Sequence, residues 1–161
     1  SNAVEKSEDE NNLKEYKNDE YSFKYKEDWS ITPKLSKNDV GPNSAYIGAL
    51  RLEIPSTTNS LETSSIYIKT VNDNITLNEY IKEEKEQNEY MEVKSTSKVK
   101  TKNQEGYQVV YELTDGETIY IMQSIYLSAN DKIYEISFSG SEKEYNNLES
   151  DINEFISNFE V

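Results

Sequence analysis

The 161-residue chain has no cysteine and no histidine, and it holds only five glycines, three prolines, one tryptophan and one arginine. The first two absences exclude the most. Without imidazole or thiol there is no Ser-His-acid triad, no thiolate nucleophile, no histidine general base, no haem ligation through His or Cys, and none of the common zinc sites. Disulfide logic assigns no redox compartment either, because a cysteine-free domain suits cytosol and exterior alike. Long apolar runs are missing, so the sequence predicts no bilayer-spanning helix, and its first residues do not read as a signal peptide. Positive charge is scarce: 17 basic residues face 31 acidic ones, a formal net charge of -14. Such a surface repels phosphate backbones and anionic head groups at short range, and nucleic acid is not an expected partner.

What is present is unevenly distributed. Ser1-Asn2-Ala3 reads as the remnant of a removed expression tag, and Val4 to Glu20 carries seven acids, three lysines and almost no apolar residues. That composition buries too little surface to offset ordering entropy, so residues 1–20 are expected to form a disordered linker and residues 21–161 a single domain. The domain keeps 24 acids and 14 bases, a net charge of -10, and is long enough for one core without staples.

Within it, Tyr21, Phe23 and Tyr25 alternate with polar residues as in a half-buried strand, and Glu27-Asp28 predicts a hairpin into Trp29-Ser30-Ile31. Lys34 to Ser44, with Gly41-Pro42-Asn43, reads as a loop, Ala45 to Ile54 as a strand ending at Pro55, Thr57 to Thr63 as a connection, and Ser65 to Val71 as the next strand. Then the period changes. Leu77, Tyr80, Ile81 and Glu84 follow helical spacing behind the capping box Thr76-Leu77-Asn78-Glu79, which predicts a helix over 77–88. Strands are expected at Tyr90–Lys100, Gly106–Leu113, Thr118–Ser128 and Lys132–Ser139, with Asp115-Gly116 as the strongest hairpin signal. A second capping box, Ser141-Glu142-Lys143-Glu144, opens a closing helix whose stripe is Tyr145, Leu148, Ile152, Phe155, Ile156 and Phe159. The strand at 118–128 is apolar on both faces, the mark of a central strand covered on each side. The fold class that follows is α+β, an antiparallel β-sheet of about six to seven strands with helices packed on both faces.

Tyr21-Ser-Phe-Lys-Tyr-Lys-Glu-Asp-Trp29, Leu77-Asn-Glu-Tyr-Ile81, Lys132-Ile-Tyr-Glu-Ile-Ser-Phe-Ser139 and Ile156-Ser-Asn-Phe159, taken in this order, resemble the PsbP-like family over nearly all of residues 21–161. That family includes a photosystem oxygen-evolving subunit, a Ran-binding protein and many small bacterial envelope lipoproteins. The resemblance implies an α/β/α sandwich and a binding or assembly role without a catalytic motif. Its lipoprotein branch implies that the charged tail links the domain to a lipidated cysteine upstream, on the outer face of a Gram-positive-type cytoplasmic membrane. A monomer with a protein partner in the cell envelope, no cofactor and membrane contact only through that anchor is the corresponding expectation. The Gram-positive assignment rests on 16 lysines against one arginine and abundant asparagine.

No catalytic, cofactor-binding or metal-binding residue is assigned. Ser95-Thr96-Ser97-Lys98 has the spacing of serine-lysine acyl enzymes but falls in a strand, where residues three apart face opposite ways. Asn72-Asp73-Asn74 and Asn130-Asp131 offer oxygen ligands for calcium without the EF-hand pattern, and Asx residues in turns usually bond their own backbone. Asn74-Ile75-Thr76 is a formal glycosylation sequon whose threonine already serves as a helix cap. Trp29 is expected in the core, and Tyr46, Tyr107, Tyr111, Tyr120, Tyr126 and Tyr134 in strand registers. Alternatives to a binding module are a sugar- or peptide-binding envelope protein and a hydrolase built on a carboxylate pair.

Overall fold

The computed structural model describes residues 13–36, 46–72 and 74–161. In chain order its elements are β1 (Leu13–Lys17), β2 (Ser22–Lys26), β3 (Ser30–Thr32), β4 (Tyr46–Ile54), β5 (Ser64–Asn72), α1 (Leu77–Gln87), β6 (Glu92–Lys100), β7 (Glu105–Asp115), β8 (Thr118–Ala129), β9 (Lys132–Ser141) and α2 (Glu142–Asn158). Strands β3 to β9 make one seven-stranded antiparallel sheet in the order β3-β4-β5-β9-β8-β7-β6, while β1 and β2 pair in a separate ribbon. Helix α1 covers one face of the sheet; α2 and the ribbon cover the other. The expected α+β class is the observed one.

Strand alternation decides which side chain meets which helix. Toward α2 point Leu50, Leu52, Ile66, Ile68, Ile125, Leu127, Tyr134, Ile136 and Phe138, meeting Leu148, Ile152, Phe155 and Ile156 of the helix and Phe23 of the ribbon. Toward α1 point fewer apolar groups: Val71, Val109, Tyr111, Tyr126 and Ile133, beneath Tyr80 and Ile81. β5, β8 and β9 contribute to both cores, so these central strands need cover on each side. Their turn is Asn130-Asp131, both left-handed at φ 54° and 59°, the geometry that matches the twist of a two-residue hairpin. The β7–β8 turn places Gly116 at φ 62° directly after Asp115.

Three expectations are corrected. The segment 1–20 is not wholly a linker: Leu13–Lys17 is a strand, because Tyr16 stacks on Phe23 at 5.2 Å and Asn18 Oδ1 accepts the N–H groups of Glu20 and Tyr21, both at 2.8 Å. Residues 1–12 lie outside the described residues, as do 37–44 of the expected 34–44 loop and residue 45 of the expected 45–54 strand. Residues 21–31 are not a hairpin. β2 pairs with β1 and β3 with β4, and the turn at Glu27-Asp28 carries the chain from ribbon to sheet so that Phe23 and Trp29 reach the same core.

The second capping box is half made. Ser141 Oγ accepts the Glu144 N–H at 3.2 Å, but the Glu144 carboxylate turns away to the β4–β5 connection. There it accepts from Ser56 Oγ at 2.7 Å, Thr57 N–H at 2.9 Å, Thr57 Oγ1 at 2.8 Å and Thr58 Oγ1 at 3.1 Å. Burial would push this carboxyl up; the donors from Thr57, Ser56 and Thr58 outweigh it and hold it below its ordinary value. The stability it contributes is therefore present above the ordinary carboxyl range and lost as pH falls. Replacing Glu144 by Ala is expected to lower unfolding free energy in urea by about 2 kcal/mol, because charge-accepting hydrogen bonds are lost and their donors stranded, whereas Glu79→Ala at the exposed box of α1 should cost under about 1 kcal/mol.

Candidate functional site

Sheet register sets the first half of the site. Lys69 of β5 sits opposite Glu135 of β9, and Glu135 opposite Tyr126 of β8, so a base, an acid and a phenol lie side by side on the α1 face. The second half comes from helical phase. Thr76 Oγ1 accepts the Glu79 N–H at 3.1 Å and the Glu79 carboxylate accepts the Thr76 N–H at 3.2 Å, fixing where α1 begins. From that start Tyr80, Ile81 and Glu84 turn to the sheet; the i, i+4 spacing stacks Tyr80 and Glu84 on one stripe.

The two halves close on each other. The Tyr80 hydroxyl lies 3.2 Å from Glu84 Oε1 and 3.4 Å from Glu135 Oε1. Lys69 Nζ is 3.4 Å from Glu135 Oε2, donates to Tyr46 Oη at 3.4 Å, and sits 4.9 Å from the centroid of the Tyr46 ring. Beneath them the hydroxyls of Tyr111 and Tyr126 are 3.2 Å apart. Residue exposures of 6% for Glu84, 2% for Glu135 and 3% for Tyr80 show that helix and sheet enclose the group.

Two carboxyls and one ammonium cannot all be ionised and compensated in so dry a space. Burial is the main cause pushing the Glu84 carboxyl up to about 9, reinforced by its hydrogen bond to Glu135 and by the Glu135 charge, against the pull of Lys69 and Tyr80. At neutral pH Glu84 is thus a neutral acid. Burial draws the Lys69 ammonium down, but the Glu135 carboxylate together with Tyr46 and Glu84 outweighs it and holds Lys69 above its ordinary value. Burial also pushes the Tyr80 and Tyr126 phenols far up, so both remain protonated donors. The arrangement can store a proton between α1 and β9.

Glu84 was visible in the sequence as an acid at an apolar-stripe position; Lys69 and Glu135 carried no sign beyond their inward registers. The other sequence candidates are dispersed. Ser95 and Lys98 lie on exposed β6 opposite Val110 and Tyr107, on different faces. Asn130-Asp131 form the β8–β9 turn, and Asn72 ends β5, its carbonyl accepting the Asn74 N–H at 2.9 Å; Asp73 lies outside the described residues. No group of three metal-ligating side chains occurs among the described residues. Trp29 is buried and 6.0 Å from the Phe155 ring; Tyr111, Tyr126 and Tyr134 are fully buried, and Tyr120 is 38% exposed.

The proton on Glu84 makes stability pH-dependent in a stated direction. A folded carboxyl near 9 against an ordinary 4.5 means the folded state binds the extra proton, so its contribution is full below the ordinary range and lost as pH rises toward 9. Urea unfolding across that window should show stability falling with pH, and Glu84→Gln, neutral throughout, should flatten the slope and overtake the wild type at the alkaline end.

Several solved structures share this architecture. Cyanobacterial PsbP (CyanoP) from Synechocystis sp. PCC 6803 superposes with a TM-score of 0.61 at 15% identity, covering 93% of this chain and 92% of its own. LpqN, involved in cell envelope biogenesis of Mycobacterium tuberculosis, superposes at 0.60 with 9% identity, covering 94% and 92%. A Pseudomonas aeruginosa protein of unknown function gives 0.57 at 8% identity, covering 90% and 94%. At these identities the likeness is one of fold. No curated protein matches the chain. The model of the PsbP-like protein family matches residues 1–161, and the chain belongs to that family.

Proposed function

We propose that this protein is a non-catalytic binding or assembly module of the cell envelope, held at the outer face of the cytoplasmic membrane by a lipid on a cysteine ahead of the acidic segment. One observation carries the reading. The Glu84–Glu135 carboxyl pair is walled between α1 and the sheet, engaged with Tyr80 and Lys69, whereas β6, at the sheet's edge, is exposed along its whole length except Val99. Groups with acid–base chemistry face inward and groups with hydrogen-bonding capacity face outward, which is the distribution a partner-binding surface needs and a hydrolytic cleft does not. The family is consistent with it, and a structural relative takes part in envelope biogenesis. Among the described residues no helix is long and apolar enough to cross a membrane, so attachment in this reading is by lipid.

Intact-mass analysis of the native protein from its own cells, combined with photocrosslinking from surface positions around the domain, tests the reading. A diacylglyceryl-modified cysteine and crosslinks to envelope proteins are expected. An unmodified cytosolic protein would overturn the location, and turnover of a substrate abolished by Glu135→Gln at unchanged stability would overturn the non-catalytic assignment.

A further inference from the structure

The β6 edge has a chemistry of its own. Residues 92–102 hold four lysines (94, 98, 100 and 102) against one acid, Glu92, in a chain whose formal net charge is -14. Register places Lys98 opposite Tyr107 and Lys100 opposite Glu105, so the two lysines project from the same face, two residues apart. Lys94 meets Glu92 at 3.7 Å and Lys102 meets Glu160 at 3.3 Å; Lys98 and Lys100 make no ion pair among the described residues and both are exposed. The opposite face of the strand offers Ser95, Ser97 and the half-buried Val99. At the strand's start Val93 is 42% exposed, and Tyr120, on the same face two strands away, is 38% exposed. β6 is nine residues long and, among the described residues, pairs with β7 alone; its other side has no strand partner there.

We propose that the β6 edge takes up an extended acidic segment of a partner protein as an additional antiparallel or parallel strand, with acids at alternate positions against Lys98 and Lys100. Backbone pairing supplies the affinity and the alternate side chains supply the choice. Opposite charges across strands stabilise and like charges oppose. That rule also rejects a second copy: two β6 edges would set lysine against lysine, and lysines and a bulge on an exposed edge are what suppress self-pairing. A bulge is present between Val93 and Ser95. The acidity of the rest of the chain does not forbid the docking, because at physiological ionic strength charges beyond about 8 Å are screened while the facing lysines are not. This inference rests on the binding-module reading and specifies its surface and the charge of its partner.

Two labelled synthetic peptides provide the probe: one alternating glutamate with valine and threonine, the other with lysine at every glutamate. Fluorescence anisotropy with the full chain should show binding of the acidic peptide alone, weakening as salt is raised. Amide hydrogen exchange should show new protection along 92–100. Lys98→Glu with Lys100→Glu, exposed changes that leave the fold intact by circular dichroism, should weaken binding by at least about tenfold. Equal binding of both peptides, protection elsewhere with β6 unchanged, no binding at all, or β6 protection arising from a concentration-dependent dimer without peptide would each overturn the proposal. Photocrosslinks to envelope proteins from positions outside β6 would then leave the binding-module reading standing while removing this edge from it.

Discussion

Two carboxyls and one ammonium share the closed space between α1 and the sheet, where one carboxyl pairs with the ammonium and the other, on Glu84, is held as a neutral acid. The reason lies in the centre of the sheet. β8 and β9 are buried on both faces, so both need cover, but the two covers are unequal. α2 brings a continuous apolar stripe and the ribbon brings Phe23 and Tyr21. α1 buries only Tyr80, Ile81 and Glu84. With so little apolar area, the shorter helix is tied to the sheet by a directional contact as well, from the Tyr80 hydroxyl to Glu135 of β9, while its own geometry is fixed by Tyr80 against Glu84 and by Asn88, whose side chain donates to the Glu84 carbonyl at 2.9 Å. Such a buried polar group fixes position more than it adds stability, since each member must be satisfied or the whole network is costly.

Much of this order could be read from residue pattern. The apolar stripe from Tyr145 to Phe159, the capping box at Thr76 and the two-faced strand at 118–128 led to the observed helices and central strand, because in each the local preference and the tertiary role agree. Where they part, the pattern misled. Leu13–Lys17 looks too charged to order, yet a single aromatic, Tyr16, and the Asn18 turn suffice to pair it with β2. Glu144 has the spacing of a capping-box acid, but four donors from 56–58 offer it more than the one backbone N–H it would otherwise cap. The Glu84–Glu135–Lys69 group joins residues from three distant segments, brought together by sheet register and by the docking of α1 on the sheet; no local period can show it.

The molecule therefore separates two kinds of polar chemistry. One is inside, charge-matched and shielded, and serves docking of a helix. The other is at the exposed β6 edge, where Lys98 and Lys100, without an ion pair among the described residues, stand out in an otherwise acidic protein. A fold shared with other proteins at 8–15% identity keeps its helices and sheet and leaves surfaces free to differ, so function has to be argued from sites such as these rather than from the fold.

Burial, with Glu135 alongside, leaves Glu84 holding a proton at neutral pH. Carbon-detected NMR of side-chain carboxyls in selectively labelled protein, titrated from acid to alkaline pH and assigned with Glu84→Gln, observes that proton directly. One carboxyl, lost in the variant, is expected to stay protonated through pH 7 and to titrate toward 9. If every carboxyl has released its proton by about pH 6, within the spread of ordinary glutamates, the neutral clasp between α1 and β9 does not exist.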